Sequence, residues 1–322
     1  MSLYKLFYLF KPYIPRCLQL KLRQKLAAFK RAKYKDIWPI DPSSGGSPHG
    51  FSGWPEDKQF ALVLSHDVET LIGLNKAKRL AEKEIEFGFR STFNFVPERY
   101  STPNDLRVWL VDNGFEVAVH GLIHDGKLFS SREIFQERAK KINQYLDEWG
   151  AVGFHSPSMH RNLEWIHDLN IEYDQSTFDT DPFEPQPDGV STIFPFWISS
   201  KNGNGYVELP YTLAQDHALF IILKEKDISI WKEKLDWIAS KGGMALLNTH
   251  PDYMNFDHKK EGIEEYPVDL YLDFLDYVSS KYKNKYWHAL PKEIARFWRK
   301  GCLNRDVKQK TLLQVTQQTN TI

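Results

Sequence analysis

The chain has 322 residues, 42% of them hydrophobic, 14% aromatic and 26% charged, with 42 basic side chains balancing 42 acidic ones. That composition excludes a disordered, collagen-like or disulfide-stapled chain, and zero net charge argues against a dedicated nucleic-acid binder, which carries a basic excess. Two cysteines near opposite ends, Cys17 and Cys302, supply neither a disulfide framework nor a metal-type spacing.

The charge balance hides an asymmetry. Residues 1–35 hold ten Lys or Arg and no acid, which leaves the remainder of the chain at −10. Within the opening stretch MSLYKLFYLF and just after it, Lys5, Lys11, Pro12, Pro15 and Arg16 interrupt the apolar run, and no small-residue cleavage site follows. The stretch is too short and too charged for a transmembrane span. The expectation is a cytoplasmic protein, with residues 1–35 as a basic, aromatic arm. That arm either docks on the acidic remainder or makes peripheral contact with an anionic membrane at its inner face.

In chain order, Leu18 to Tyr34 has helical spacing, with Leu18, Leu22, Leu26 and Phe29 on one side. A Gly/Ser/Pro cluster at 41–55 reads as a linker or boundary loop. FALVLS (60–65) is a short apolar run of the buried-strand kind. A helix follows over 74–87, then a strand at 91–96, a helix at 104–113, the strand FEVAVH at 115–120, and a long helix over 131–150 that stops on Gly150. Residues 170–215 are rich in Asp, Pro and aromatics and read as long loops with short strands. ISIWKEKLDWIASKGG reads as a helix, MALLNTH (244–250) as a strand, and residues 268–282 and 290–300 as helices. Alternating strands and helices predict an α/β fold with a parallel sheet or barrel. The expected organisation is an arm and linker at 1–57, a barrel at 58–301 and a polar tail at 302–322.

Polar residues cluster just past three apolar strands: SHDVE (65–69), HGLIH (120–124) and HPD (250–252). In parallel barrels the C-terminal strand ends carry the active site, so these three segments are expected to converge on one pocket. Taken singly, each has a plainer reading. Asp67 precedes a helix and suits an N-cap; Glu69 suits a first helical turn. His250 before proline suits a turn, and His120 with His124 suits a surface pair. Four-residue spacing also places two imidazoles on one side of a helical turn, a workable metal geometry.

In this order, SHDVE, HGLIH, GFHSPS, YDQS, VELP and LLNTHPDY resemble the motifs of the polysaccharide deacetylase family, the nodulation-type carbohydrate esterases. The resemblance runs over roughly residues 58–301 and implies a distorted (β/α) barrel of about seven strands. It makes Asp67 the catalytic base, His250 the general acid, and His120 and His124 ligands of one divalent metal ion. Two positions depart from the pattern. Val68 stands where a second, metal-binding aspartate is common, which makes Glu69 the third ligand, with Asp67 the alternative carboxylate. His155 stands where many relatives have an arginine that steadies the base, with His160 and Arg161 close enough in sequence to compensate.

The implied reaction is hydrolysis of an N-acetyl group from an amino sugar of a polysaccharide, oligosaccharide or glycolipid precursor. Two imidazoles and one carboxylate suit Zn²⁺ best, with Co²⁺, Ni²⁺ or Fe²⁺ compatible. Tyr173 or Tyr211, or a backbone N–H near them, is expected to hold the oxyanion. His155 and Asp174 complete the expected substrate contacts. Phe178, Phe183, Phe194, Phe196 and Trp197 are expected to pack in core and loops rather than form a sugar rim. Asp174, Asp179, Asp181 and Glu184 read as a solvated acidic loop or a substrate-amine contact rather than a calcium loop. Alternatives are hydrolysis of a non-sugar carbon–nitrogen bond on the same scaffold, or glycan binding without turnover.

Overall fold

A computed structural model of the protein describes residues 15–200, 204–257 and 262–303. The first fourteen residues of the arm and nearly all of the expected tail lie outside the described residues. In chain order the elements are α1 (Arg16–Lys33), β1 (Phe60–Val68), α2 (Leu71–Phe87), β2 (Thr92–Phe95), α3 (Asn104–Asp112) and β3 (Glu116–His120). Then follow α4 (Arg132–Trp149), β4 (Gly153–His155), β5 (Tyr173–Asp174), β6 (Phe196–Ser199), β7 (Gly205–Glu208) and α5 (Ser229–Lys241). The chain continues with β8 (Met244–Thr249), β9 (Met254–Asn255), β10 (Tyr266–Pro267), α6 (Asp269–Lys281), β11 (Tyr286–His288) and α7 (Pro291–Leu303). The expected helices and strands are present with ends shifted by a few residues.

Strands β1, β2, β3, β4, β5 and β7 pair in parallel, each with the next. Past β7 the chain runs beside β8, where Leu213 bridges Leu247 in parallel, and β8 pairs with the other edge of β1. Seven strands therefore close a distorted α/β barrel. Strand β6 adds an antiparallel edge outside β7, and β11 pairs with the first residues of β1 below the point where β2 joins it.

β1 is buried along its whole length, as a strand covered by helices outside and side chains inside must be. Its period-2 alternation divides the polar residues of SHDV between two environments. Ser65 and Asp67 meet Asn94 of β2 inside the barrel. His66 points the other way, to Thr249 of β8 (2.7 Å) and to Glu84 of α2 (2.9 Å). Glu84 also accepts the hydroxyls of Ser91 (2.6 Å) and Tyr271. This buried polar knot ties α2 and α6 to the sheet.

The stretch at 41–55 does not hang free. Trp54 is buried against Trp287, Phe297 and Trp298, and its indole N–H donates to the carbonyl of Gly242 (2.8 Å). Helix α1 packs against a π-helical segment, His217–Ile222, burying Leu20 and Ala27. Arg16 pairs with Glu264 and Arg31 with Glu225, so the described part of the arm docks on acidic partners. Its apolar stripe faces outward, with Leu18, Leu22, Leu26 and Phe29 all exposed. No helix among the described residues is long and apolar enough to cross a membrane.

Removing Glu84 leaves one nitrogen of a buried imidazole and two hydroxyls without their partner. Glu84→Ala should lower stability in denaturant titration by about 2–4 kcal/mol, the order expected when several buried polar groups lose their acceptor. Glu86→Ala, which removes a surface pair with Lys83, should change it by less than about 0.5 kcal/mol.

Candidate active site

Parallel pairing brings the C-terminal ends of the strands together, and register sets which residues stand side by side. Asp67 pairs across with Asn94, and His120 with His155. Asp67 is buried and accepts three side-chain hydrogen bonds. His155 Nδ1 (2.7 Å) and Asn94 Nδ2 (2.8 Å) donate to Oδ1, and Asn248 Nδ2 (2.8 Å) donates to Oδ2. Burial opposes its charge, but the imidazoles of His120, His155 and His250 outweigh that and hold the carboxyl well below the ordinary range.

His120 ends β3 with both ring nitrogens buried. Nδ1 donates to the backbone carbonyl of His155 (3.0 Å), which fixes the tautomer and leaves the Nε2 lone pair free; Nε2 has no hydrogen-bond partner. Burial pushes its pKa down to about 3, so the ring stays neutral at physiological pH. His124 lies on the loop beyond, not on a helical turn as the four-residue spacing suggested. Gly121 (φ +61°) and His124 (φ +62°) both adopt left-handed conformations. A Cβ on Gly121 would come within 2.5 Å of the Pro157 ring, so only glycine fits this bend.

His124 Nε2 stands 3.0 Å from Glu69 Oε1, yet out of line for a hydrogen bond, and remains without a partner. The other Glu69 oxygen accepts from Tyr253 (2.9 Å), and the Glu69 backbone N–H donates to Asp252 (2.9 Å). Glu69 thus precedes α2 rather than sitting in its first turn; Thr70 is the N-cap. The approach of Asp252 requires Gly73, where a Cβ would lie 2.1 Å from Asp252 Oδ2. The ligand atoms of Glu69, His120 and His124 all fall within 4.8 Å of one another, as do those of Asp67, His120 and His155. Of the two carboxylates, Asp67 has both oxygens committed to donors, whereas Glu69 Oε1 has only an unaligned imidazole nitrogen before it. Glu69, His120 and His124 could therefore hold a divalent cation. Orphaned, buried imidazole nitrogens beside an open carboxylate oxygen are the donor set such an ion takes.

His250 follows β8. Its Nδ1 bonds Asp216 Oδ1 (2.7 Å), its backbone N–H donates to Asp216 Oδ2 (2.8 Å), and its Nε2 reaches within 3.8 Å of Asp67 Oδ2. Burial alone would lower its pKa, but Asp216, then Glu69 and Asp67, reverse this and raise it to about 10. The imidazole is protonated at neutral pH.

The remaining expected contacts fall elsewhere. Tyr173 is the first residue of β5, and its phenol donates to Glu116 (3.0 Å) at the start of β3, which stands level with Ser65, below Asp67. Tyr211 is buried, its hydroxyl 2.9 Å from Asp181 and 3.0 Å from Glu184. Neither phenol is free to hold an oxyanion. Asp174 is buried behind the site, accepting from Ser176 (2.6 Å) and lying next to Glu208. His155 touches Asp67 directly, in the place expected of a residue steadying the base. Arg161 does not supplement it, because its guanidinium is taken by the carbonyls of Met159 and Asp188.

The 174–184 acids are not a solvated loop. Asp174, Asp179 and Asp181 are buried, with Asp179 paired to Lys234 of α5, because this segment folds inward against the barrel wall. Phe178, Phe194 and Phe196 are buried, and Phe183 packs on Trp38, so these aromatics pack rather than form a rim. Sequence reasoning missed Asp216, Asn94, Asn248 and Tyr253. Asn248 and Tyr253 flank His250 in LLNTHPDY and Asn94 lies at a strand end. Nothing in the sequence marks Asp216.

No protein-family model matches the sequence, and no curated protein matches it by sequence. Solved structures do resemble the fold. Proteins of Mycobacterium smegmatis and Pseudomonas aeruginosa PAO1, both provisionally assigned as polysaccharide deacetylases, superpose with TM-scores of 0.61 and 0.58. Their identities are 18% and 17%, and each comparison covers 79% of this chain and 95% of the other. The fold is that of the polysaccharide deacetylases. The Puue allantoinase superposes nearly as well, at TM-score 0.59 and 15% identity over 79% of this chain and 94% of that one. At these identities the polysaccharide deacetylase fold is what the likeness conveys, and the chemistry has to be read from the site.

The geometry predicts metal binding that follows three side chains. After loading with Zn²⁺ and dialysis, the protein should retain about one equivalent. Glu69→Ala, His120→Ala and His124→Ala should each weaken retention at least tenfold, as measured by elemental analysis. Asp67→Asn should retain the ion.

Proposed function

We propose that this protein is a metal-dependent hydrolase that removes an N-acetyl group from an amino sugar of a glycan or glycolipid. The observation that carries the reading is the placement of an ionised carboxylate and a protonated imidazole, Asp67 and His250, beside a donor set fit for a divalent ion. Glu69, His120 and His124 would hold the ion. When bound, it supplies Lewis acidity that polarises the acyl carbonyl and acidifies a water molecule.

Asp67, kept anionic by its three donors, accepts the proton of the attacking water; His155, Asn94 and Asn248 fix which oxygen lone pairs remain to do so. The water oxygen bonds the acyl carbon. An amide nitrogen leaves only when protonated, and His250 donates that proton as the C–N bond breaks, giving acetate and the free amine. Asp216 keeps His250 charged and orients its ring, with Tyr266 anchoring Asp216 (2.9 Å). Burial of the whole set strengthens each of these interactions. A complete base, acid and ligand set favours turnover over glycan binding alone. The fold likeness to an allantoinase favours no particular amide, so ureide hydrolysis is the second reading to test.

Acetate release should be measured from N-acetylated amino sugars, chito-oligosaccharides and their glycolipid forms, alongside ring-opening hydrolysis of allantoin to allantoate. Asp67→Asn should keep the metal and lose most turnover, and His250→Ala should lower kcat by roughly 10²–10⁴-fold. Unchanged kcat in both variants sinks the mechanism. Activity requires protonated His250, so it should fall only as pH rises through its value of about 10. Asp216→Asn should move that alkaline limb down toward the ordinary imidazole range near ~6.5.

We further propose that α1 seats the protein on an anionic bilayer. Its outward stripe leaves Leu18 47%, Leu22 46%, Leu26 55% and Phe29 68% exposed, flanked by exposed Lys21, Lys25 and Lys33. An apolar helical face bordered by lysines suits an interfacial helix, and the positive border selects anionic lipid. Vesicles containing phosphatidylglycerol should float the protein at low salt, and phosphatidylcholine vesicles should not. The double variant Leu22→Asp, Leu26→Asp should abolish flotation without loss of the melting transition. Self-association that the same variant removes, in place of lipid binding, would overturn the bilayer assignment.

A further inference from the structure

Helix α1 turns two different faces to its surroundings, and the inner one packs on the π-helical segment that begins with His217. Nearly every long polar side chain on that inner face has a partner on the barrel. Arg16 is paired with Glu264, Gln24 donates to the carbonyl of Ile221 (3.0 Å), Lys30 donates to the carbonyl of Pro182 (2.6 Å), and Arg31 is paired with Glu225. Arg23 is the exception. It lies one turn from the buried residues Gln19 and Ala27 and is itself half-buried, yet among the described residues it makes no hydrogen bond or ion pair.

The charge of Arg23 is felt by Glu184 and His217, and both of these also feel His250. Arg23 precedes Gln24, whose amide bonds the carbonyl of Ile221 in the π-helical segment that begins with His217, so Arg23 lies on the part of α1 that packs over that segment. His217 follows Asp216 directly, and its ring is 4.9 Å from that of Tyr253, the residue bonded to Glu69. Its Nε2 is shielded from solvent and has no hydrogen-bond partner. Glu184 does not neutralise Arg23. Burial and the charge of Asp181 raise its pKa to about 8, so it is mostly protonated at neutral pH, and it is already engaged by Tyr211 and Gln215. A partly desolvated guanidinium without a counter-charge is costly. The cost is removed when a ligand brings the anion, which an arginine fork then holds in a charge-assisted bond.

We infer that Arg23 and His217 form a subsite for an anionic substituent, a phosphate or a carboxylate, carried by the substrate next to the amide that Asp67 and His250 hydrolyse. This rests on the hydrolase reading for its placement, but binding tests it independently of turnover. Helix α1 then takes part in selecting the substrate: neutral amino sugars lack the group that completes the site.

The experiment measures binding by calorimetry to the zinc-loaded full chain. Three probes are used: N-acetylglucosamine 1-phosphate, N-acetylmuramic acid and the neutral methyl glycoside of N-acetylglucosamine. At least one anionic probe should bind more tightly than the neutral one, and comparison of the two separates phosphate from carboxylate. Arg23→Ala should weaken that anionic probe about tenfold or more and leave the neutral one unchanged. Arg23→Lys should recover part of the loss. Arg31→Ala, on the same helix but paired elsewhere, should change neither and controls for undocking of α1. His217→Gln provides a second route if Arg23→Ala melts early, and should also weaken the anionic probe selectively. Equal losses for charged and neutral probes, or no preference for either anion in the unmodified protein, overturns the subsite. Acetate release in the same samples separates the two readings. Selective anion binding without acetate release removes the hydrolase and leaves the subsite; acetate release indifferent to Arg23 does the reverse.

Discussion

The barrel mouth is organised around one requirement, that a buried carboxylate remain ionised. Moving Asp67 out of water opposes its charge, and the opposition is met by groups arriving from separate segments: the imidazoles of His120, His155 and His250, with Asn94 from β2 and Asn248 from β8 as further donors. No local segment can supply that set. The parallel register that places Asp67 across from Asn94, and His120 across from His155, is therefore as much a part of the site as the side chains themselves. The same crowding explains a division of labour between two acids only two residues apart. With its oxygens filled by neighbours, Asp67 suits proton transfer; Glu69, reaching past β1 with one oxygen open toward His124, suits a cation.

A second consequence concerns the histidines, which the site holds in opposite states. His120 is buried with a backbone carbonyl on one nitrogen and nothing on the other, so it stays neutral. His250 is equally enclosed but rests on Asp216, and it stays charged. Burial is common to both; the nature of the partner decides the sign. An acid and a lone-pair donor are thereby maintained a few ångströms apart without titrating one another, which is what a hydrolase of a poor electrophile needs.

Helix α1 shows how a charged segment can serve two surfaces. Its inner side is fastened to the barrel by Arg16, Gln24, Lys30 and Arg31, while Leu18, Leu22, Leu26 and Phe29 face away. An apolar stripe on a docked helix normally packs inward. Here the polar side is the one that docks, because the barrel offers carbonyls and carboxylates to it, and the apolar side is left exposed.

Much of this was legible in the sequence for physical reasons. Continuous apolar runs and 3.6-residue periodicity place the long helices and the strands at 60, 92, 116 and 244, since both are set by local burial pattern. Polar residues at the ends of those runs identify Asp67, His120, His124 and His250 as neighbours, because parallel strands bring their C-terminal ends together. Side-chain direction was not legible. Tyr173 belongs to a two-residue strand and Tyr211 to an isolated bridge, in an irregular stretch where no alternation fixes a face, and both phenols turn to buried acids. The inward-folded acids of 174–184 meet partners distant in sequence, Asp179 pairing with Lys234 and Asp181 and Glu184 with Tyr211. Asp216 and Arg23 acquire their meaning only through the residues they face in space. The sequence by itself determined the barrel and the residue types at its mouth; the tertiary structure decided which of them are charged, which nitrogens are left free, and which arginine lacks a partner. Those properties depend on desolvation and on contacts between distant segments, and neither exists until the chain has closed.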